Sequence, residues 1–180
     1  MTESTSATLV AFDLIGVLVE PSWRELAPAP DLALWKRLKV GEIDEPDLWD
    51  APSAAAYRAC LRLRAERLAL LARVRARGCR VAVASNFARA WVPAVRALFP
   101  DPSLVDHWFI SGELGVAKPD PRFWAHLRRV AADIVLVDDQ RDNLQAARSA
   151  GLRAVWALPG ADLPARLHAA LDVGPAPGAA

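Results

Sequence analysis

Cysteine is scarce in this chain: Cys60 and Cys79 are the only two among 180 residues, and they form no CxxC. That excludes a disulfide scaffold and a cysteine-built zinc site. A charge excess is lacking too, because 22 Lys and Arg face 21 Asp and Glu for a net charge of +1. On that balance neither nucleic acid nor a membrane surface is an expected partner. The longest early apolar stretch, Leu9 to Val19, is interrupted by Asp13 and preceded by Glu3 without a basic leader, so it reads as neither a signal peptide nor a membrane span. Lysine is rare beside arginine, with only Lys36, Lys39 and Lys118. The 53% hydrophobic and 24% charged residues describe a globular chain whose length suits one core. We expect a single-core cytoplasmic protein.

What is present is an alternation of short apolar runs with helical patterns. Leu9–Phe12, Val81–Ala84, Trp108–Ile110, Ile134–Val137 and Ala154–Trp156 are continuous rather than alternating. Strands buried on both faces of a parallel sheet read this way. Helices are expected at about 88–98, 121–131 and 142–150, with Pro121 suited to a first turn and Gly151 to a C-terminus. The series predicts an α/β fold, a doubly wound, Rossmann-like five-stranded parallel sheet with helices on both faces.

Between the first and second strands, residues 20–78 carry no strand signal. Helical patterns at 30–39, 44–50 and 53–77 predict a small helical cap and a connecting helix, with the core in 1–19 and 79–172. Residues 1–7 and a tail from about Gly174 (173–180) are expected to be mobile. Turning 53–77 as one helix puts Arg58, Arg62, Glu66, Arg73 and Arg77 on one face, read as solvated rather than as a nucleic-acid patch. Arg64, Arg67 and Arg75 fall on the apolar side, where one of them could reach into a cleft; snorkelling is the preferred reading.

Ligands of open α/β sheets bind at the carboxyl ends of the strands. Here the strands end in Asp13, in Ser85-Asn86 and in Asp138-Asp139, and Lys118 lies in the loop Gly115–Asp120. At about 4 Å and an effective dielectric near 20, each pair of like charges among Asp13, Asp138 and Asp139 costs about 4 kcal/mol. Such a cluster protonates or holds a cation. Carboxylate oxygens without nearby His or Cys point to Mg²⁺ together with a phosphate. Lys118 adds a charge for that anion, Ser85 and the N–H groups after it donate to phosphate oxygens, and Asp13 is placed as a nucleophile. His107, His126 and His168 share no motif spacing, and the seven Trp are read as packing.

The stretch Asp13-Leu14-Ile15-Gly16-Val17-Leu18-Val19, with Ser85-Asn86, Lys118-Pro119 and Val137-Asp138-Asp139 followed by Asn143, resembles the four motifs of the haloacid dehalogenase-like hydrolases over about residues 8–157. Gly41-Glu42-Ile43-Asp44 looks like part of the helical cap of the subfamily whose cap follows the first motif. The resemblance implies an aspartyl-phosphate on Asp13, phosphoryl contacts from Ser85 (with Asn86) and Lys118, and Mg²⁺ on Asp13, Asp138 and Asp139 with the Ile15 carbonyl. The implied partner is a small phosphorylated molecule. One departure stands out: phosphatases of the family place an Asp acid/base where this chain has Ile15. Loss of such a group typically costs about 10²–10⁴ in rate. Glu20 and Asp139 are the nearest replacements. The insertion is also shorter than usual for such caps. Three readings stay open: a Mg²⁺-dependent phosphomonoesterase, a catalytically weak relative acting as a binding protein, and a metal-free 2-haloacid dehalogenase. The sequence is silent on oligomeric state.

Overall fold

The computed structural model describes residues 7–20 and 31–173. The expectations for the N-terminal arm and for the tail fall almost wholly outside them. Five parallel strands form the main sheet: β1 (Leu9–Phe12), β4 (Arg80–Ser85), β5 (His107–Ile110), β6 (Ile134–Asp138) and β7 (Arg153–Trp156), in the order β5-β4-β1-β6-β7. A second ribbon pairs β2 (Val19–Glu20) antiparallel with β3 (Arg62–Leu63). The helices are α1 (Leu32–Leu38), α2 (Ala51–Cys60), α3 (Ala65–Ala76), α4 (Val92–Arg96), α5 (Ser111–Leu114), α6 (Pro121–Arg128), α7 (Arg141–Ser149) and α8 (Leu163–Asp172). No helix among the described residues is long and apolar enough to cross a membrane.

The continuous apolar strands are explained by helices on both sheet faces. Val10 and Phe12 of β1, with Val81, Val83, Val135 and Val137, meet Leu70, Leu71 and Val74 of α3 and Leu163 and Leu167 of α8. Leu9 and Ala11 point the other way, with Ala82, Ala84 and Leu136, toward Phe123, Trp124 and Leu127 of α6 and Leu144 of α7. The period of two along each strand sends alternate residues to opposite cores. Three alanines on the second face leave room for the rings of α6.

Two expectations in the insertion are corrected. Residues 53–77 are not one helix: α2 ends at Cys60, Leu61 turns extended, and α3 begins at Ala65. The break lets Leu61 bury completely, lets β3 pair with β2, and lets the Arg64 N–H reach the Leu18 carbonyl at 2.9 Å. A helix there would leave the β2 backbone without those partners. The single arginine face is therefore not built, and most of its arginines have their own acceptors: Arg58 on Glu45, Arg62 on the Ala59 and Leu61 carbonyls, Arg77 on Asp172. The pattern at 44–50 forms only a short 3₁₀ turn, Glu45–Asp47.

Strand order reverses at β1. Its neighbours β4 and β6 leave the sheet on opposite sides, opening a crevice over the carboxyl ends of all three strands.

Candidate active site

Register brings the strand ends together. Phe12 is level with Val83 of β4 and Val137 of β6, so Asp13, Ser85 and Asp138 emerge side by side. The Asp13 N–H donates to the Val137 carbonyl at 2.8 Å, fixing the residue as it leaves the sheet. The chain then folds into a tight turn in which the Leu14 carbonyl accepts from the N–H groups of Leu18 and Val19, each at 2.8 Å. Gly16 has a φ of +88°, and a Cβ there would lie 2.6 Å from Asp139 Oδ2. Only glycine permits both the left-handed backbone and this approach to the carboxylate.

Lys118 is held from two directions. Its backbone is clamped by the Asn86 side chain, which accepts from the Lys118 N–H and donates to the Lys118 carbonyl, both at 2.8 Å. Its ammonium lies 3.0 Å from Asp13 Oδ1 and 2.5 Å from Asp138 Oδ2. The Asn86 amide is thus spent on positioning Lys118, which leaves the backbone of that segment for a ligand. Asp138, fully buried, also accepts from the Gln140 N–H at 2.8 Å and from Asn143 Nδ2 at 3.1 Å on each oxygen.

Charge in this crevice is unbalanced. Oxygen atoms of Asp13, Asp138 and Asp139 lie within 4.8 Å of one another, with one ammonium among them. Burial pushes the Asp13 carboxyl up to about 6; Asp138 and Asp139 add to the rise, while Lys118 and the hydrogen bond with Ser85 oppose it. Burial and the Asp138 charge raise Asp139 as well. Burial alone would lower Lys118, but the two carboxylates outweigh it and hold the ammonium above its ordinary value. Asp139 Oδ1 is buried and has no hydrogen-bond partner. A buried carboxylate oxygen without a partner, beside two more carboxylates, is the donor set a hard divalent cation takes. The residues fit Mg²⁺.

Over the cluster opens a cavity of about 690 Å³. Asp13, Ser85, Asn86, Lys118 and Asp139 line its floor, and Ile15 stands at its side. Trp35, Trp156 and Leu158 supply apolar wall. Glu20 and Arg64 also line it, paired at 3.3 Å. Arg64 therefore reaches the cleft, the alternative to snorkelling that its place on the apolar side allows. None of the three histidines lines the cavity; His168 sits on α8 beside Arg77 and Asp172.

Sequence reasoning misses Ser111 and Lys39. Ser111 immediately follows β5, the same strand-end signal that marks Asp13 and Ser85, and is fully buried. Lys39 lies in the insertion and carries no motif.

A family model for haloacid dehalogenase-like hydrolases matches residues 32–151. A sesquiterpene phosphatase of Aspergillus oryzae is 26% identical over 82% of this chain and 88% of its own length. Among solved structures, a haloacid dehalogenase family enzyme of Bacteroides thetaiotaomicron in complex with magnesium and inorganic phosphate superposes with a TM-score of 0.70 at 17% identity, over 87% of this chain and 96% of that one. The L-2-haloacid dehalogenase of Xanthobacter autotrophicus with chloropropionic acid covalently bound gives 0.61 at 16% identity, over 96% of this chain and 86% of that one. The strand order, the crevice and the matched sequence lead to one conclusion: this chain belongs to the haloacid dehalogenase-like hydrolases.

Proposed function

We propose that this hydrolase is a Mg²⁺-dependent phosphatase of small organic phosphates, acting through a phosphoryl group carried on Asp13. The observation that carries the reading is the buried Asp13 carboxylate, set 3.0 Å from the Lys118 ammonium beside an acidic cluster with an unpartnered Asp139 oxygen. The likeness to a phosphatase, and a structural neighbour solved with magnesium and phosphate, support it. Asp13, Asp138, Asp139 and the Ile15 carbonyl would hold Mg²⁺, which neutralises phosphoryl charge when bound. Lys118 supplies a second positive charge to the same oxygens, and Ser85 with the Asn86 N–H donates to them. One Asp13 oxygen attacks phosphorus, the P–O bond to the leaving group breaks, and water then cleaves the acyl phosphate to release inorganic phosphate. We assign this chemistry to the α/β core, 1–19 and 79–172, and the cap to 20–78, whose Glu20, Trp35, Lys39 and Arg64 line the cavity. Two free cysteines suit a reducing compartment, and we place the protein in the cytoplasm.

Ile15 lies half-buried at the cavity wall and offers no proton. The leaving oxygen therefore departs unprotonated or takes a proton from water, and rate falls steeply as leaving-group pKa rises. A plot of log kcat/KM against leaving-group pKa is expected to be steep in the wild type and to flatten in Ile15→Asp, with alkyl phosphates gaining about tenfold or more. A shallow wild-type slope means another residue supplies the proton, with Glu20 the first to replace.

The dehalogenase neighbour and Ile15 favour a second reading, chloride release from 2-halo acids without metal. Hydrolysis of p-nitrophenyl phosphate decides between them: activity with Mg²⁺ that EDTA abolishes supports the phosphatase, and metal-independent chloride release supports the dehalogenase.

A further inference from the structure

Two of the chain's three lysines line one cavity, in a protein that uses arginine for its other nineteen basic positions. Lys118 is fully engaged by Asp13 and Asp138. Lys39 is half-buried, and its ammonium has no ion-pair or hydrogen-bond partner among the described residues. Burial, Lys36 and Lys118 all lower its pKa, and among the described residues no acidic group neutralises this cation of the cavity.

Lys39 is also rigidly mounted. It ends α1, and its N–H donates to the Trp35 carbonyl at 3.1 Å. Its carbonyl accepts from the hydroxyl of buried Ser111, whose oxygen in turn accepts from the Phe87 N–H at 3.0 Å. Two residues on, Gly41 has a φ of +75°, and a Cβ there would meet the Gly112 carbonyl oxygen at 2.6 Å. The Lys39–Gly41 segment is therefore docked on the core and tied, through Ser111, to the strand end that presents Ser85.

We propose that Lys39 binds the anionic leaving group of the substrate, and that the preferred substrate is a diphosphate ester with an apolar organic part, cleaved at its terminal phosphoryl group. This rests on the phosphatase reading and narrows its substrate class. Two independent features meet in it. Ile15 leaves the position two residues after Asp13 without an acid, so the site serves best a leaving group that needs no proton; a phosphate group departing from a phosphoanhydride is one. Lys39 provides a fixed charge for the negative charge that develops there. Trp35, Trp156 and Leu158 offer apolar wall for the remainder. In the step, an Asp13 oxygen bonds to the terminal phosphorus while its bond to the bridging oxygen breaks. That oxygen keeps the electron pair and leaves as an alkyl monophosphate. Water then attacks the phosphorus, its bond to the Asp13 oxygen breaks to regenerate the carboxylate and release inorganic phosphate, and a water proton goes to solvent.

The test is the ratio of kcat/KM for an alkyl diphosphate to that for the alkyl monophosphate of the same alkyl group, at saturating Mg²⁺, in wild type, Lys39→Met and Lys39→Arg. Intrinsic reactivity and metal chelation by the diphosphate are common to all three proteins, so they cancel in the comparison. The wild-type ratio is expected to exceed that of Lys39→Met by about tenfold to a hundredfold, the worth of a charge-assisted contact, with partial recovery in Lys39→Arg. Calorimetry with methylenediphosphonate and methylphosphonate gives a readout without turnover, in which the preference for the diphosphonate is expected to fall about tenfold in Lys39→Met. Equal ratios in wild type and Lys39→Met, with both proteins folded by thermal melting, overturn the assignment of Lys39 and leave the phosphatase reading standing. If wild type hydrolyses neither ester with Mg²⁺, the phosphatase reading fails, and the calorimetric preference alone decides whether Lys39 holds a second anion.

Discussion

The strand-end site and the helical insertion are held by opposite means. At the strand ends, buried charge dominates: Lys118 bridges Asp13 and Asp138, and Asn86, Asn143 and Gln140 hold the groups around it. In the insertion, rings dominate. Trp35 and Trp49 each stack on Trp91 at 5.5 Å, and Tyr57 lies 4.6 Å from the same ring. Trp91 belongs to the core, so the cluster is the joint between insertion and sheet, and Glu45 closes it by accepting from Trp91 Nε1 and Arg58. The difference teaches where metal should matter. Charge in the crevice is expected to answer to an added cation, and the aromatic joint is not.

The largest effect on stability is expected at Lys118. Removing one partner of a buried charge cluster costs about 3–5 kcal/mol. Lys118→Met should therefore melt well below wild type without metal and regain more than wild type does when Mg²⁺ is added, because the ion then takes over the neutralising role. Equal Mg²⁺ shifts in the two proteins would break the contrast.

Trp91→Ala removes a fully buried ring and should cost about 3–5 kcal/mol, with no dependence on Mg²⁺ beyond the wild-type shift. Tyr57→Phe sharpens the same point in the other direction. The Tyr57 hydroxyl is buried without a partner, so its removal should be neutral or raise stability by about 1 kcal/mol in denaturant unfolding.

A smaller effect is expected at Asp106. Burial would raise its pKa, but the Arg75 guanidinium and the Val81 N–H hold it below the ordinary value. A depressed folded pKa means the carboxylate contributes stability above the unfolded value, near 3.9, and loses it as pH falls through the folded one. Asp106→Asn should cost about 1 kcal/mol at neutral pH and progressively less below about pH 4. A loss that stays constant down to pH 3 would show that the charge contributes nothing.

Much of the site was legible because chemistry at strand ends interrupts apolar runs: Asp13, Ser85 and Asp138 each follow or close a buried strand, and a period-two register then makes them neighbours. Lys118 was legible as a cation in the loop Gly115–Asp120, suited to the anion that the strand-end carboxylates imply, and the resemblance gave it a phosphoryl contact. The break at Leu61 was not legible at all. Residues 53–77 contain no glycine, and the sole proline near them, Pro52, sits in the first turn of α2, where it is tolerated; what ends α2 is the burial of Leu61 and the demand of β2 for a partner, both tertiary. No element is expected over 163–172, yet α8 forms there behind Asp162, whose side chain accepts from the Ala165 N–H. Lys39 escaped because its meaning comes from the Ser111 contact, across 72 residues of chain.

Covalent capture tests the central claim most directly. The enzyme is mixed with Mg²⁺ and an acyl phosphate labelled in its phosphoryl group, quenched in acid within one turnover, digested and mapped by mass spectrometry. Label is expected on Asp13, released by hydroxylamine as an acyl phosphate is, and absent both in Asp13→Asn and in wild type treated with EDTA. Turnover of the acyl phosphate without label on Asp13, or label retained in Asp13→Asn, overturns the covalent mechanism.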